Sequence, residues 1–422
     1  MPTLIDWYNT LMTDRELSVV SSQNLVNEVQ RKQSRRLRDL INQGKSAPPM
    51  KTQLTPVSMF NPLITIYLKP LSLLHAIGRI TTPPVPNLAD LSSTWALIRY
   101  FWAFEIPNRT TNQPLILSNI ARQIDFHQKA LLSDEIGMGM AYYIMTKYFK
   151  TTEVIDVSIA LKEMPVNLQY STSPDYLFFD DPNGLVYVVK CKGNQSSRPT
   201  TMDQLRRGTE QVPSIIFDDG SRAESLVIAT CMLSNGTTVY IIDPIDENGN
   251  NLSDSSDFYK AEKIGPTQWR VKDYERYVMD SRLFSRAKTL AFAGADFEAL
   301  AQLPSETQES WIKYARKPKK EVKLRTTFGD FIGVRDTIRT MDGLRITLYR
   351  GMLEELRNRL SIPLFDEGTR KKKGRELISP SKSFSSQLKE ESHYSKLTKS
   401  NTQVRNQSIF RDGTIFQLTI TD

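Results

Sequence analysis

Residues 174–193 read PDYLFFDDPNGLVYVVKCKG, and this stretch decides the fold. Two apolar runs rich in aromatic and β-branched residues, 175–180 and 185–192, predict two strands. The DPNG segment at 181–184 separates them, and Asn-Gly is a strong short-range signal for a tight turn. The stretch therefore predicts an antiparallel β-hairpin.

The segments on either side of this hairpin alternate between helical and strand patterns. A helix is predicted first, opened by Ser133 or Asp134, and a polar helix follows the hairpin. The predicted elements are a helix over 133–149, strands over 154–161, 225–233 and 238–242, and a helix over 201–211. This order predicts an α+β or α/β fold with a mixed β-sheet flanked by helices.

The hairpin geometry brings charged side chains together. Side chains alternate along a strand, so Lys190 and Lys192 point to one face and Cys191 to the other. A four-residue turn places Asp175 opposite Lys190, and a two-residue turn places it opposite Lys192. In both registers the carboxylate shares a face with both lysines, an arrangement that suits metal-assisted phosphodiester chemistry.

These residues resemble the motif of the PD-(D/E)xK nuclease superfamily, whose members have the restriction-endonuclease-like fold. Asp175 falls on the first acid of that motif and Lys192 on its lysine. Glu135 falls where many members carry an additional metal-binding carboxylate. Gln204 and Gln211 resemble glutamines that some of these families place near the site.

The resemblance covers about residues 126–245 and implies a nuclease. It implies that Asp175 and Glu135 bind Mg²⁺ or Mn²⁺ and that Lys192 positions the attacking water. DNA or RNA is the implied substrate, and microbial defence or restriction the implied role. An ATPase or sensor protein is the implied partner, and we expect an oligomer.

Lys190 departs from the motif, because the second acid should stand at this position. At about 4 Å and an effective dielectric near 20, one charge pair is worth roughly 4 kcal/mol, so a cation here opposes metal binding strongly. Three explanations stay open: an acid deliberately replaced to inactivate the protein, a naturally inactive fold used for binding, or an acid supplied from elsewhere. The candidates for that acid are Asp180, Asp203 and Glu210.

Composition and pattern divide the rest of the chain into further segments. We expect a helix over 14–44 and a second long helix over 336–360. The predicted segments are 1–125, mainly helical; 126–250, the nuclease domain; 256–365, mainly helical; 366–408, a flexible linker; and 409–422, a terminal hairpin around Asp412-Gly413.

Two basic clusters accompany a net charge of +8, from 55 Lys and Arg against 47 Asp and Glu. Residues 313–325 form one cluster, and the other lies in the predicted helix 14–44 and comprises Arg31, Lys32, Arg35, Arg36 and Arg38. Either cluster could contact nucleic-acid phosphates or be a solvated surface. Two alternatives to a nuclease follow. The first is a non-catalytic nucleic-acid-binding or assembly module, and the second, less favoured, is a structural or capsid-associated protein.

Other residue counts exclude several classes of protein. Two cysteines rule out a disulfide framework and a four-cysteine zinc site, and three histidines leave little room for a histidine-rich metal site. A GxxxxGK[ST] phosphate-binding loop is missing, which argues against ATP hydrolysis by this chain. The sequence shows neither a signal-peptide pattern nor a membrane-spanning run, so we expect a cytoplasmic protein without membrane contact.

Overall fold

A computed structural model describes residues 2–46, 53–82, 89–107, 113–157, 174–180, 185–212, 214–217, 223–245, 261–265, 268–271, 274–303, 320–340, 343–360 and 406–421. The helices are α1 Leu4–Met12, α2 Gln23–Asn42, α3 Pro70–Thr81, α4 Ala89–Tyr100, α5 Asn119–Gln123, α6 Phe126–Lys147, α7 Arg198–Gln211, α8 Tyr274–Phe292, α9 Asp296–Leu300 and α10 Glu354–Leu360.

The strands are β1 Arg15–Val20, β2 Gln53–Thr55, β3 Leu63–Leu68, β4 Gln113–Pro114, β5 Glu153–Asp156, β6 Tyr176–Asp180, β7 Leu185–Asn194, β8 Ser214–Phe217, β9 Glu224–Leu233, β10 Gly236–Ile245, β11 Ala261–Gly265, β12 Gln268–Val271, β13 Val322–Thr326, β14 Gly329–Arg339, β15 Arg345–Leu353, β16 Gln407–Ile409 and β17 Thr414–Thr421. None of the helices within the described ranges is both long and apolar enough to cross a membrane.

A mixed sheet forms the centre of the protein, in the strand order β3-β1-β10-β9-β7-β6-β5. Two pairs are parallel, β7 with β9 and β1 with β10, and the other neighbours in this order are antiparallel. Short strands β2 and β4 join β10 and β1. The fold is therefore a mixed α+β arrangement with a large mixed sheet flanked by helices, as the sequence predicts.

Alternating side chains of β7 place different helices on the two faces of this sheet. Val189 and Cys191 belong to the same buried cluster as Ile136 of α6. Val188, one position away, belongs with Leu205 of α7 in a second cluster. Because strand side chains alternate, Lys190 and Lys192 lie on the face of β7 that carries α7 and α2.

Two smaller sheets complete the fold. Strands β11, β12 and β8 form a three-stranded sheet. A five-stranded sheet has the order β13-β14-β15-β17-β16, and all its neighbours are antiparallel. The predicted terminal hairpin is confirmed as β16 and β17, and Gly413 between them has a positive φ of 78°.

The predicted central hairpin is confirmed as β6 and β7, in one of its two possible registers. Tyr176 pairs with Val189, and Asp180 pairs with Leu185. This pairing leaves 181–184, which lie outside the described residues, as a four-residue connection. The register with Asp175 opposite Lys190 is therefore the one the protein adopts.

The predicted helix over 14–44 is wrong in its first part. Arg15–Val20 forms strand β1, which pairs with β3 and β10 and alternates buried and half-buried side chains. Helix α2 begins only after Ser22, whose hydroxyl caps it by accepting a hydrogen bond from the Leu25 amide. The described part of the segment 1–125 contains more helix than strand, but it also contributes strands to the central sheet.

The predicted long helix over 336–360 is also wrong. Strands β14 and β15 pair along their length, and only Glu354–Leu360 is helical. Gly333 and Gly351 face each other in this pair, where a side chain on Gly333 would lie 2.1 Å from the Arg350 carbonyl oxygen. The segment 256–365 is therefore a mixture of strands and helices. The predicted linker lies outside the described residues up to 405, and β16 begins at Gln407.

A buried ion pair attaches the terminal hairpin to the helices. Arg79 of α3 donates from Nε to Asp412 Oδ2 at 2.8 Å, and Tyr142 of α6 donates to the same oxygen at 2.7 Å. The amide and hydroxyl of Thr414 donate to the other carboxylate oxygen. Burial alone would raise the pKa of Asp412, but Arg79 and these donors hold it below its usual value.

Asp412→Asn should destabilise the protein by about 3–5 kcal/mol, because it leaves the buried Arg79 guanidinium without a counter-charge. Urea unfolding at neutral pH measures the loss. Glu28→Gln, which breaks the exposed pair between Glu28 and Arg198, is the matched control and should cost less than about 1 kcal/mol.

The difference between Asp412→Asn and the wild type should shrink as the pH falls below the usual carboxyl value of 3.8. A depressed native pKa contributes stability above the unfolded pKa, and this contribution is lost as the pH falls through the native pKa. A difference that stays constant down to pH 2 would contradict the assignment of the loss to this carboxylate.

Candidate active site

An ion pair across the central hairpin occupies the predicted site. Lys190 donates from Nζ to Asp175 Oδ1 at 2.6 Å, and the backbone amide of Cys191 donates to Asp175 Oδ2 at 2.7 Å. The Lys190 side chain is 9% exposed and that of Asp175 27%. Both carboxylate oxygens therefore already have close donors, at the rim of the protein interior.

Lys192 lies on the same face of β7, two residues beyond Lys190. Burial lowers the pKa of Lys192, and the neighbouring Lys190 ammonium lowers it further. Asp175 and Asp134 oppose this shift by attracting the charged form. Lys192 therefore loses its proton more readily than an ordinary lysine, and the charges of Asp175 and Lys190 act on it.

Helix α6 lies unusually close to the end of β7. A side chain on Gly193 would lie 1.9 Å from the Ser133 carbonyl oxygen, and one on Gly137 would lie 2.8 Å from the Lys192 carbonyl carbon. Gly137 therefore permits close contact between α6 and the sheet. Gly139 instead permits contact between helices, because a side chain there would meet Ile77 of α3.

Asp134 is the acid that sequence reasoning missed. Burial raises its pKa, while Lys192 lowers it, and the charges of Asp175 and Lys190 also act on it. This carboxylate therefore lies within electrostatic range of all three residues of the predicted site. The family resemblance predicted its neighbour Glu135 as the site residue, and no feature of the sequence favoured one of the two acids over the other.

Glu135 interacts with α4. Its Oε1 lies 3.9 Å from an Nη atom of Arg99, and it also interacts with the Tyr100 hydroxyl. Burial raises the pKa of Glu135, and these two partners lower it. Helix α6 begins after the Asp125 cap, so Glu135 lies in its third turn and not in the predicted first turn.

Gln204 of α7 contacts the end of β7. Its side-chain amide donates to the Gly193 carbonyl at 3.2 Å and accepts from the Asn194 side chain at 2.8 Å. Asn194 is buried and also donates to Thr201 at 2.7 Å. These amides fix α7 to the strand that carries both lysines. Gln211 lies about two turns further along α7.

The other candidate acids have partners or lie elsewhere on the hairpin. Asp203 pairs with Lys32 at 2.9 Å, and Glu210 pairs with Arg206 in the preceding turn of α7. Asp180 pairs through its backbone with Leu185, at the end of the hairpin away from Asp175. Within the described ranges, no group of three or more His, Cys, Asp or Glu side chains is placed to hold a metal ion.

Mg²⁺ prefers several oxygen ligands, and in proteins it is usually held by one or two carboxylates. At this site one carboxylate is already bonded to an ammonium, and a second ammonium lies on the same face of the strand. The residues that stand here therefore do not fit a divalent cation. Comparison with protein-family models, curated proteins and solved structures found no match for the chain.

Lys190→Met should raise the pKa of Lys192. The substitution removes a repelling cation and leaves the Asp175 carboxylate free to attract the protonated amine. A pH titration of the Lys192 side chain by NMR measures this shift. Lys323→Met, on the five-stranded sheet, is the control and should not move it. An unchanged or lowered pKa in Lys190→Met would mean that the two lysines are not coupled.

Proposed function

We propose that this chain is a restriction-endonuclease-like protein of the PD-(D/E)xK type, in which Lys190 suppresses metal-dependent phosphodiester hydrolysis. The observation that carries the proposal is the 2.6 Å bond between Lys190 and Asp175. Lys190 stands at the position of the second acid, directly beside the carboxylate with which that acid would act.

The order and pairing of elements support the proposed fold. Helix α6 precedes three antiparallel strands, β5, β6 and β7, and α7 then leads to β9, which is parallel to β7. This is the element order that the family resemblance implies for its catalytic core. The hairpin register supports it too, because Asp175 and position 190 lie side by side on neighbouring strands.

The surroundings of the pair suit a phosphodiesterase once an acid stands at 190. Two carboxylates would then face each other across the hairpin, and Asp134 lies within electrostatic range. Lys192 has a lowered pKa, so it is suited to orient a water molecule or a phosphate oxygen and to exchange a proton. In the present sequence Lys190 stands in place of the second carboxylate, so the pair of facing carboxylates does not form.

The proposal includes the biological setting that the resemblance implies. DNA or RNA is the substrate, microbial defence or restriction in the cytoplasm is the role, and the protein assembles as an oligomer with an ATPase or sensor partner.

A second candidate function is a non-catalytic nucleic-acid-binding or assembly module with the same fold. The Asp175 carboxylate favours it, because both of its oxygens accept hydrogen bonds from groups of the chain itself. Salt-dependent nucleic-acid binding that is never accompanied by cutting would support this function.

Lys190→Glu should produce cleavage that depends on Mg²⁺ or Mn²⁺, whereas the wild type should not cut. The change removes the ammonium from Asp175 and adds a carboxylate, which reverses a charge term of roughly 4 kcal/mol. Nicking of plasmid DNA and cutting of labelled RNA, each with and without a chelator, measure the activity. Calorimetry should show Mn²⁺ binding at least about tenfold tighter than in the wild type.

Two control variants identify the source of any activity. Lys190→Met removes the ammonium without adding a ligand and should remain inactive. Lys190→Glu combined with Asp175→Asn removes the partner acid and should abolish the restored cleavage. If Lys190→Glu folds normally but cuts neither DNA nor RNA, the nuclease proposal is wrong and the binding module replaces it.

A further inference from the structure

Helix α2 carries a row of three arginines on its outer side. Arg31, Arg35 and Arg38 follow each other at spacings of four and three residues, so they lie on one face of the helix. All three are exposed, whereas Val29 and Leu40 on the opposite face are buried. We call Arg31, Arg35 and Arg38 the arginine stripe.

The arginine stripe has no counter-charge within the described part of the chain. Arg31 and Arg38 donate from Nε to carbonyls of their own helix, at 3.3 and 3.4 Å. No ion pair joins any of the three to an acid there. Like charges at these spacings destabilise a helix, so the arrangement has a cost that no contact inside the described protein offsets.

Two acids near this surface have other partners. Glu28 pairs with Arg198, and Asp203 pairs with Lys32, so both bind α2 to α7. Asp39 is the only acid in the whole stretch from 29 to 46. The outer surface of α2 therefore carries mainly positive charges, with few acids among them.

Helix α7 extends this surface and connects it with the candidate active site. The two helices lie side by side, because Gln33 donates to Thr209 at 2.8 Å and Lys32 to Asp203 at 2.9 Å. Exposed Arg207 of α7 therefore adds to the positive surface. Both helices cover the face of the central sheet on which Lys190 and Lys192 lie.

We infer that the arginine stripe binds the sugar-phosphate backbone of DNA or RNA. Arg31 to Arg38 spans about 10.5 Å at 1.5 Å per residue, and over that length of duplex axis each strand carries about three phosphates, one per 3.4 Å of axis. Each guanidinium group can donate two hydrogen bonds to the oxygens of one phosphate. A row of arginines can therefore bind successive phosphates. The inference extends the proposed function by assigning the surface that holds its substrate, but it does not require cleavage.

An acidic lipid surface fits this helix less well than a nucleic acid. A membrane-bound amphipathic helix buries its apolar face in the lipid. In α2 that face is already used, because Leu25, Val26 and Val29 pack in the core beneath the central sheet. The part of α2 that faces outward offers arginines, and phosphates without an acyl phase are the matching ligand.

Fluorescence polarisation with labelled duplex DNA, single-stranded DNA and RNA over a series of salt concentrations tests the inference. The triple variant Arg31→Gln, Arg35→Gln, Arg38→Gln should bind at least about tenfold more weakly at low salt. The slope of log K against log salt should fall by about 3, one for each lost phosphate contact. The corresponding triple lysine variant keeps the charge and should retain most of the slope.

The matched control removes the same charge from the five-stranded sheet, through Arg335→Gln, Arg339→Gln and Arg345→Gln, all exposed. If both triple variants lose equal affinity, the effect is one of net charge and the inference is wrong. It is also wrong if the stripe variant binds nucleic acid normally, or if the wild type binds only vesicles of phosphatidylserine and phosphatidylcholine. Cleavage by Lys190→Glu is a separate readout, so this inference and the proposed function can fail independently.

Discussion

Helix α6 crosses strand β7 at close range in the candidate core. Gly193 makes it possible, because a side chain there would collide with the Ser133 carbonyl oxygen at 1.9 Å. Gly137 provides the same freedom from the helix side, against the backbone of Lys192. This crossing sets the distance between α6 and the sheet, and it brings Asp134 within electrostatic range of Lys192. The geometry of the site therefore depends on two residues that have no side chain.

Two ion pairs then connect distant parts of the chain to this core. Arg79 and Asp412 join the terminal hairpin to α3, and Lys190 and Asp175 join the two strands of the central hairpin. A buried pair is costly to form and much more costly to break on one side, since the remaining charge has no partner. Lys190 is therefore part of the stability of the hairpin as well as an obstacle to metal binding. A change at this position alters stability and electrostatics together.

The sequence predicted the central hairpin well, because its signals are local. The Asn-Gly turn, the two apolar runs and the strict alternation of strand side chains place Asp175 on one face with Lys190 and Lys192 without any knowledge of the rest of the protein. They left the register open, and only the pairing of Tyr176 with Val189 decides it. It failed where partners are distant in sequence. Six residues at Arg15–Val20 were merged with the following helix, although their strand partners are β3 and β10. The sequence also did not identify Asp134, for a related reason. The rotation of α6 decides which of the two neighbouring acids faces the site, and its tertiary contact at Gly193 sets that rotation.

In the proposed function, binding and chemistry use separate residues, and this separation is compatible with a lysine at position 190. A cation in place of an acid changes the local charge by two units, which repels a divalent metal ion and attracts a polyanion. The arginine stripe on α2 is not involved in the Lys190–Asp175 pair, so loss of the acid leaves it intact. In the proposed function, replacement of the second acid by lysine removes hydrolysis in a single step and leaves the proposed binding surface unchanged.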